Sequence, residues 1–114
     1  GETVGYDRTF TATKNLKIAV LPIGYADGFD RRLSNKLEVL INGKKAKVVG
    51  NICMDVCMVD VTKIKNVCVG DEVTLLGRNG GYELTPYQYA NILGTSPYEI
   101  LLKFRHDRMN RIVL

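Results

Sequence analysis

Hydrophobic and polar positions alternate in short runs along most of this chain, and the period lengthens only near its end. Val4, Tyr6 and Phe10 fall on even positions with Asp7, Thr9 and Thr11 between them. That partial period of two predicts a half-buried strand over residues 3–13. Residues 17–23 (K-I-A-V-L-P-I) form a continuous apolar run, expected as a central strand whose last pairing is limited by Pro22. A loop of turn formers follows, Gly24-Tyr25-Ala26-Asp27-Gly28-Phe29-Asp30. Residues 37–41 and 44–49 are strand-like and flank Asn42-Gly43, which predicts a hairpin with a type I′ turn. Residues 52–61 form a second strongly apolar strand carrying Asp55 and Asp60, and residues 72–76 a shorter one after the Gly70-Asp71 turn. Arg78-Asn79-Gly80-Gly81 reads as a loop.

Helical signals come late. Thr85 is the expected N-cap of a helix with Pro86 at its first position and Gly94 at its end. Ser96-Pro97 repeats that start, with Tyr98, Leu101 and Leu102 spaced for one apolar face. Residues 111–114 are expected to return as a closing strand. The fold class is therefore mainly β: a small antiparallel, barrel-like domain with one or two short helices near the C-terminus.

A length of 114 residues suits one domain and one core. Hydrophobic residues at 46% and charged residues at 25% are globular proportions, which argues against wholesale disorder. No apolar run approaches the roughly 20 residues of a membrane span. The chain opens on Gly1-Glu2-Thr3 without a basic-then-apolar leader, so it reads as a piece of a longer polypeptide. The net charge of +4 is mild. Lys44, Lys45 and Lys47, and then Lys103, Arg105, Arg108 and Arg111, form two basic clusters. A solvated face explains them more simply than a nucleic-acid groove, because no aromatic-interleaved basic strand accompanies them. A small barrel gripping single-stranded nucleic acid is the alternative they motivate.

Three cysteines, an odd number, argue against a secreted disulfide framework. On one extended strand Cys53 and Cys57 would stand ~13 Å apart, too far for a disulfide or for shared metal ligation. The cysteines are read as reduced, small hydrophobes of a cytoplasmic protein, with no metal site. Asp27 and Asp30 do not complete a calcium loop. Asp55, in an apolar strand, needs a partner. Six tyrosines and no tryptophan are the notable bias. Tyr6 and Tyr25 beside glycines are candidates for proton transfer or anion binding, with a packed aromatic as the default reading.

Four stretches in order resemble the C-terminal domain of alanine racemases: G-Y-D-R-T-F at 5–10, P-I-G-Y-A-D-G-F at 22–29, V-G-N-I-C-M-D-V at 49–56 and G-T-S-P-Y-E at 94–99. V-L-I-N-G-K-K-A at 39–46 and G-D-E-V-T-L-L-G at 70–77 also follow the family pattern. The resemblance implies a two-domain enzyme in which residues 1–114 are the β domain and an N-terminal barrel carries pyridoxal 5'-phosphate on a lysine outside this chain. It implies a homodimer in which the β domain of one subunit completes the site on its partner's barrel.

By motif position, Tyr6 resembles the catalytic tyrosine, one of two acid/base groups on opposite faces of the substrate's α-carbon in the interconversion of L- and D-alanine. Met54 resembles the residue whose backbone N–H helps to hold the substrate carboxylate. Cys53, Asp55 and Tyr25 resemble residues of the substrate passage, and Tyr98 the tyrosine that reaches the cofactor phosphate and narrows the pocket. Serine or another amino acid is the alternative substrate within the same mechanism. Asn51, where many members have Arg, Asp7 and the 105–111 tail depart from the common pattern.

Overall fold

The protein is described here by a computed structural model, which places residues 16–104 and 110–114 together with the backbone of 2–4 and 10–12. Among the described residues, ten short strands and two α-helices follow one another. The strands are β1 (Glu2–Val4), β2 (Phe10–Ala12), β3 (Ile18–Leu21), β4 (Glu38–Ile41), β5 (Lys44–Val49), β6 (Cys57–Asp60), β7 (Glu72–Thr74), β8 (Gly77–Asn79), β9 (Tyr82–Leu84) and β10 (Arg111–Val113). Helices α1 (Pro86–Leu93) and α2 (Pro97–Lys103) lie between β9 and β10.

Six strands pair antiparallel in the order β10-β7-β4-β5-β6-β3, a curled half-barrel. The expected closing strand is β10, set against β7 with Arg111 opposite Thr74 and held by an Arg111–Glu72 ion pair of 3.2 Å. The Asn42-Gly43 hairpin forms as the sequence predicts. Both turn residues have positive φ, 50° and 74°, and Ile41 stands opposite Lys44 across a two-residue loop. One face of the sheet carries Leu21, Val39, Ile41, Val48, Val59 and Val73, all buried. Lys47 sits in register between Glu38 and Asp60, so this part of the first basic cluster alternates with acids across the sheet.

Three expected elements differ. The single strand over 3–13 is instead β1 and β2, paired with each other with Thr3 opposite Thr11. A period of two is preserved through both arms of a hairpin, so alternation alone could not separate one strand from two. The strand expected over 52–61 is extended only from Cys57. Residues 52–56 make a turn closed by the Cys53 N–H donating to the Val56 carbonyl at 2.9 Å, with Ile52 and Cys53 buried. The ~13 Å separation derived from an unbroken strand therefore does not hold, although Cys53, Cys57 and Cys68 are all free thiols. The loop expected at Arg78-Asn79-Gly80-Gly81 is the tip of the β8–β9 hairpin.

That tip meets the other hairpin. Gly43 donates its N–H to Asn79 Oδ1 at 2.8 Å, and Gly80, at φ 63°, packs so closely that a Cβ there would lie 2.5 Å from the Gly43 Cα. The neighbour is backbone and cannot swing aside. Gly80→Ala is expected to destabilise the domain by about 2–3 kcal/mol, from left-handed strain plus displacement of the turn. Urea unfolding reads this directly, and a loss below half a kilocalorie would show that the two tips do not touch in solution.

Both helices begin where expected. The Thr85 N–H donates to Gln88 Oε1 at 2.7 Å, Gly94 closes α1 at φ 67°, and Ser96 Oγ accepts from the Glu99 N–H. Tyr89 of α1 is fully buried, donates its hydroxyl to the Leu75 carbonyl and packs its ring 4.9 Å from that of Phe104. Burial pushes the Tyr89 phenol well above its ordinary range, with a further push from Cys57. In α2 the core-facing residue is Ile100, followed by Phe104 at the C-cap. Tyr98, Leu101 and Leu102, expected on the packed face, point to solvent. The helix is apolar on two sides, and this domain covers one of them.

Candidate functional site

The exit of β3 turns sharply at Gly24 into a single 3-10 turn, Tyr25–Asp27, which is closed by Gly28 at φ 98°. The Gly24 N–H donates to Asp27 Oδ2 at 3.1 Å, and the Gly24 carbonyl accepts from the N–H groups of Asp27 and Phe29 at 3.0 and 3.2 Å. Phe29 is fully buried and pins the loop to the core. The two leading N–H groups of the 3-10 turn have no partner within it. They donate instead to the 53–56 turn: Tyr25 N–H to the Cys53 carbonyl and Ala26 N–H to the Met54 carbonyl, both at 3.0 Å. This approach depends on glycine. A Cβ on Gly24 would lie 2.2 Å from the Cys53 oxygen and 2.4 Å from the Met54 oxygen.

Tyr25, Cys53, Met54 and Asp55 are thus brought together from two motifs nearly thirty residues apart. Tyr25 and Met54 are half exposed, at 46% and 52%, and Cys53 is buried. Asp55 is exposed at the bend. The expectation that it sits in an apolar strand and needs a partner is corrected: water solvates it. The Cys57 thiol is pushed up to about 12, mainly by burial and also by the nearby Cys53. A thiol so held stays protonated at neutral pH and is a poor nucleophile. Among the described residues, no cluster of three or more His, Cys, Asp and Glu side chains could hold a metal ion. Tyr6, the sequence's first candidate, lies outside the described residues.

Tyr98, on α2, is 78% exposed. The link between its helix and the β3 exit is a shallow cleft of about 500 Å³ lined by Tyr25, Gly28, Asp30, Arg31 and Lys103. Asp30 organises it. The carboxylate takes a forked contact from Arg32 at 2.8 and 3.1 Å, and Lys103 Nζ stands 3.9 Å away. Sequence reasoning did not nominate Asp30, Arg31 or Lys103 for this site; the Asp-x-Arg spacing of Asp30 and Arg32 is the one local signal that could have pointed to the ion pair. A larger cavity, about 620 Å³, lies along β3 among Lys17, Val20, Val61, Val67, Cys68 and Leu114; of the nominated residues that are described, none lines it.

The hydrogen bonds from Arg32 hold the Asp30 carboxyl below its ordinary value, against the opposing pull of burial, and Lys103 adds to the lowering. Because the folded pKa is the lower one, the contribution is present above the unfolded value of about 4 and is lost as pH falls through the folded value. An Asp30→Asn variant is expected to be less stable than wild type at pH 7, with the gap closing as pH falls below about 4. Thermal unfolding across that range checks it; a pH-independent gap would show that charge is not the cause.

A family model described as "Alanine racemase, C-terminal domain" matches residues 1–113. The chain belongs to this family. The racemase domain is 52% identical over 109 residues to an alanine racemase of Clostridium perfringens, a match covering 96% of this chain and 28% of that protein. Its fold overlays an alanine racemase from E. faecalis with a TM-score of 0.84 at 41% identity, across 91% of this chain and 27% of the other. It overlays the alanine racemase of Bartonella henselae, solved with covalently bound pyridoxal phosphate, with a TM-score of 0.79 at 37% identity, across 90% and 28%. The racemase domain therefore spans under a third of each of these relatives. Among its described residues, no helix is long and apolar enough to cross a membrane.

Proposed function

We propose that this domain serves a cytoplasmic, pyridoxal-phosphate-dependent racemase that interconverts L- and D-alanine. In this reading it supplies acid/base, carboxylate-binding and pocket-lining groups to a site shared with a barrel domain. The observation that carries the reading is the family match over residues 1–113 together with the joining of the 22–29 and 49–56 motifs into one exposed cluster. Three free thiols fit a reducing compartment.

The described residues fit a contributory role toward the cofactor. Tyr98 presents an exposed phenol that can donate to a phosphate oxygen, and α2 offers Leu101 and Leu102 beside it as an apolar surface for a covering domain. When bound, pyridoxal phosphate supplies the electron sink that lets the α-proton leave. Tyr6, in the segment between β1 and β2, acts as the acid/base group on one face of the α-carbon in the partner subunit's site. A cationic environment in the assembled site stabilises its phenolate. The Met54 N–H donates to the substrate carboxylate. Tyr25 and Asp55 line the way in, with Cys53 packed beneath them, and Tyr98 narrows the pocket toward a methyl side chain.

The test follows α-hydrogen exchange of L- and D-alanine and of L-serine in heavy water, using the full-length enzyme with pyridoxal phosphate. Exchange and racemisation of alanine in clear preference to serine are expected. Preference for serine would move the substrate within the same mechanism. Neither substrate exchanging would sink the racemase reading.

A further inference from the structure

We propose that Gly24 and the backbone of the Tyr25–Asp27 turn form a positioning device that aims the Met54 N–H at the carboxylate of a bound amino acid. The inference rests on the racemase reading for its ligand and goes beyond it in naming what holds the donor in place.

No peptide bond among the described residues is cis. In a trans peptide the carbonyl of one residue and the N–H of the next lie in one plane and point in opposite directions. The Cys53 carbonyl is fixed by the Tyr25 N–H at 3.0 Å, so the Met54 N–H is directed away from the 3-10 turn. The Met54 carbonyl is fixed in turn by the Ala26 N–H at 3.0 Å. Both peptide planes that meet at Met54 are therefore held by a hydrogen bond from outside their own turn. The Cys53 N–H to Val56 carbonyl bond at 2.9 Å closes the turn on the other side. Among the described residues, the Met54 N–H itself finds no acceptor.

A backbone donor held from three sides and left unpaired beside two half-exposed side chains is prepared for an anionic oxygen. Gly24 makes the clamp possible through space rather than through its dihedral angles. Its backbone is extended, φ −149° and ψ −166°, which any residue adopts, yet a Cβ would fall 2.2 Å from the very oxygen that the clamp holds. Adding that one carbon pushes the Cys53–Met54 peptide away and turns its N–H.

The donor acts on the substrate carboxylate in ground and transition state alike, so its loss should appear in KM and not in kcat. The experiment uses the full-length, cofactor-loaded enzyme and three variants. Gly24→Ala displaces the clamp. Tyr25→Pro deletes the N–H that holds Cys53 and sets its ring carbon against the Cys53 oxygen, at the first residue of the turn after an extended glycine. Tyr25→Ala removes the phenol alone and is the reference for Tyr25→Pro.

Two quantities are read: steady-state alanine kinetics, and propionate binding from the change in cofactor absorbance. Gly24→Ala against wild type, and Tyr25→Pro against Tyr25→Ala, are each expected to weaken propionate and raise KM by about tenfold, with kcat within about twofold. Equal propionate binding by Tyr25→Pro and Tyr25→Ala would overturn the proposal. So would a fall in kcat with KM unchanged, or failure of wild type to bind propionate. If Gly24→Ala does not fold, the Tyr25 pair decides. A wild type that binds propionate but leaves alanine untouched would sink the racemase reading, while the propionate comparison still reads the clamp.

Discussion

Tyr6→Phe in the full-length enzyme is expected to slow α-hydrogen exchange from L-alanine by about a thousandfold, within the usual 10²–10⁴ span for loss of a general acid or base. The same change should leave appreciable exchange from D-alanine. The asymmetry follows from the chemistry. Racemisation requires a proton to leave one face of the α-carbon and another to arrive on the opposite face, so two groups divide the work. Phenylalanine keeps the ring and its packing and deletes only the hydroxyl that carries the proton. A role in packing alone would leave both directions nearly unchanged, and a shared structural collapse would slow both equally. Measuring deuterium incorporation into each enantiomer, before any inversion is counted, separates the three. Rates from L-alanine within about threefold of wild type would remove Tyr6 from the mechanism.

That prediction rests on motif position, because Tyr6 lies outside the described residues; the rest of the candidate site shows what sequence can and cannot specify. The Asn42-Gly43 hairpin and the Thr85-Pro86 and Ser96-Pro97 helix starts were legible because each is decided by residues within one turn of one another. The 52–56 turn was not. Ile52, Cys53 and Val56 are as apolar as a strand, and what bends them is the pair of N–H groups arriving from Tyr25 and Ala26. That tertiary contact leaves no periodic trace.

The close approach at Gly24 was hidden for the same reason. The glycine's dihedral angles are ordinary, and only the 2.2 Å approach of the Cys53 oxygen explains why no larger residue would fit. The exposed side of α2 was misread in the opposite sense. Tyr98, Leu101 and Leu102 have the spacing of a buried face, but Ile100 takes the core position in this domain. Hydrophobic spacing reports that a surface is to be covered without saying by what. A barrel domain of the kind proposed above would be one such cover.

Phe29→Ala is expected to cost the domain about 3–5 kcal/mol, a large share of the 5–15 kcal/mol that holds a typical domain together. Phe29 is fully buried at the end of the P-I-G-Y-A-D-G-F stretch, and its N–H donates to the Gly24 carbonyl. One residue thus anchors the core and the turn that carries Tyr25. Removing the ring leaves a void under that turn, which can collapse only by drawing the 24–29 loop inward and away from the Cys53 and Met54 carbonyls. The loss should therefore exceed that of Phe29→Leu, about 1–1.5 kcal/mol, in which most of the volume is kept.

Guanidinium unfolding of the 114-residue chain gives both values. Amide exchange at Tyr25 and Ala26 reports whether the loop detaches before the sheet unfolds. If Phe29→Ala costs less than about 1 kcal/mol, the ring is not packed under the turn. If the cost is large but Tyr25 and Ala26 stay protected up to global unfolding, the clamp stands independently of its anchor. The expected result, early exchange at both amides with the sheet still protected, would make Phe29 the core residue on which the geometry of the proposed Met54 donor depends.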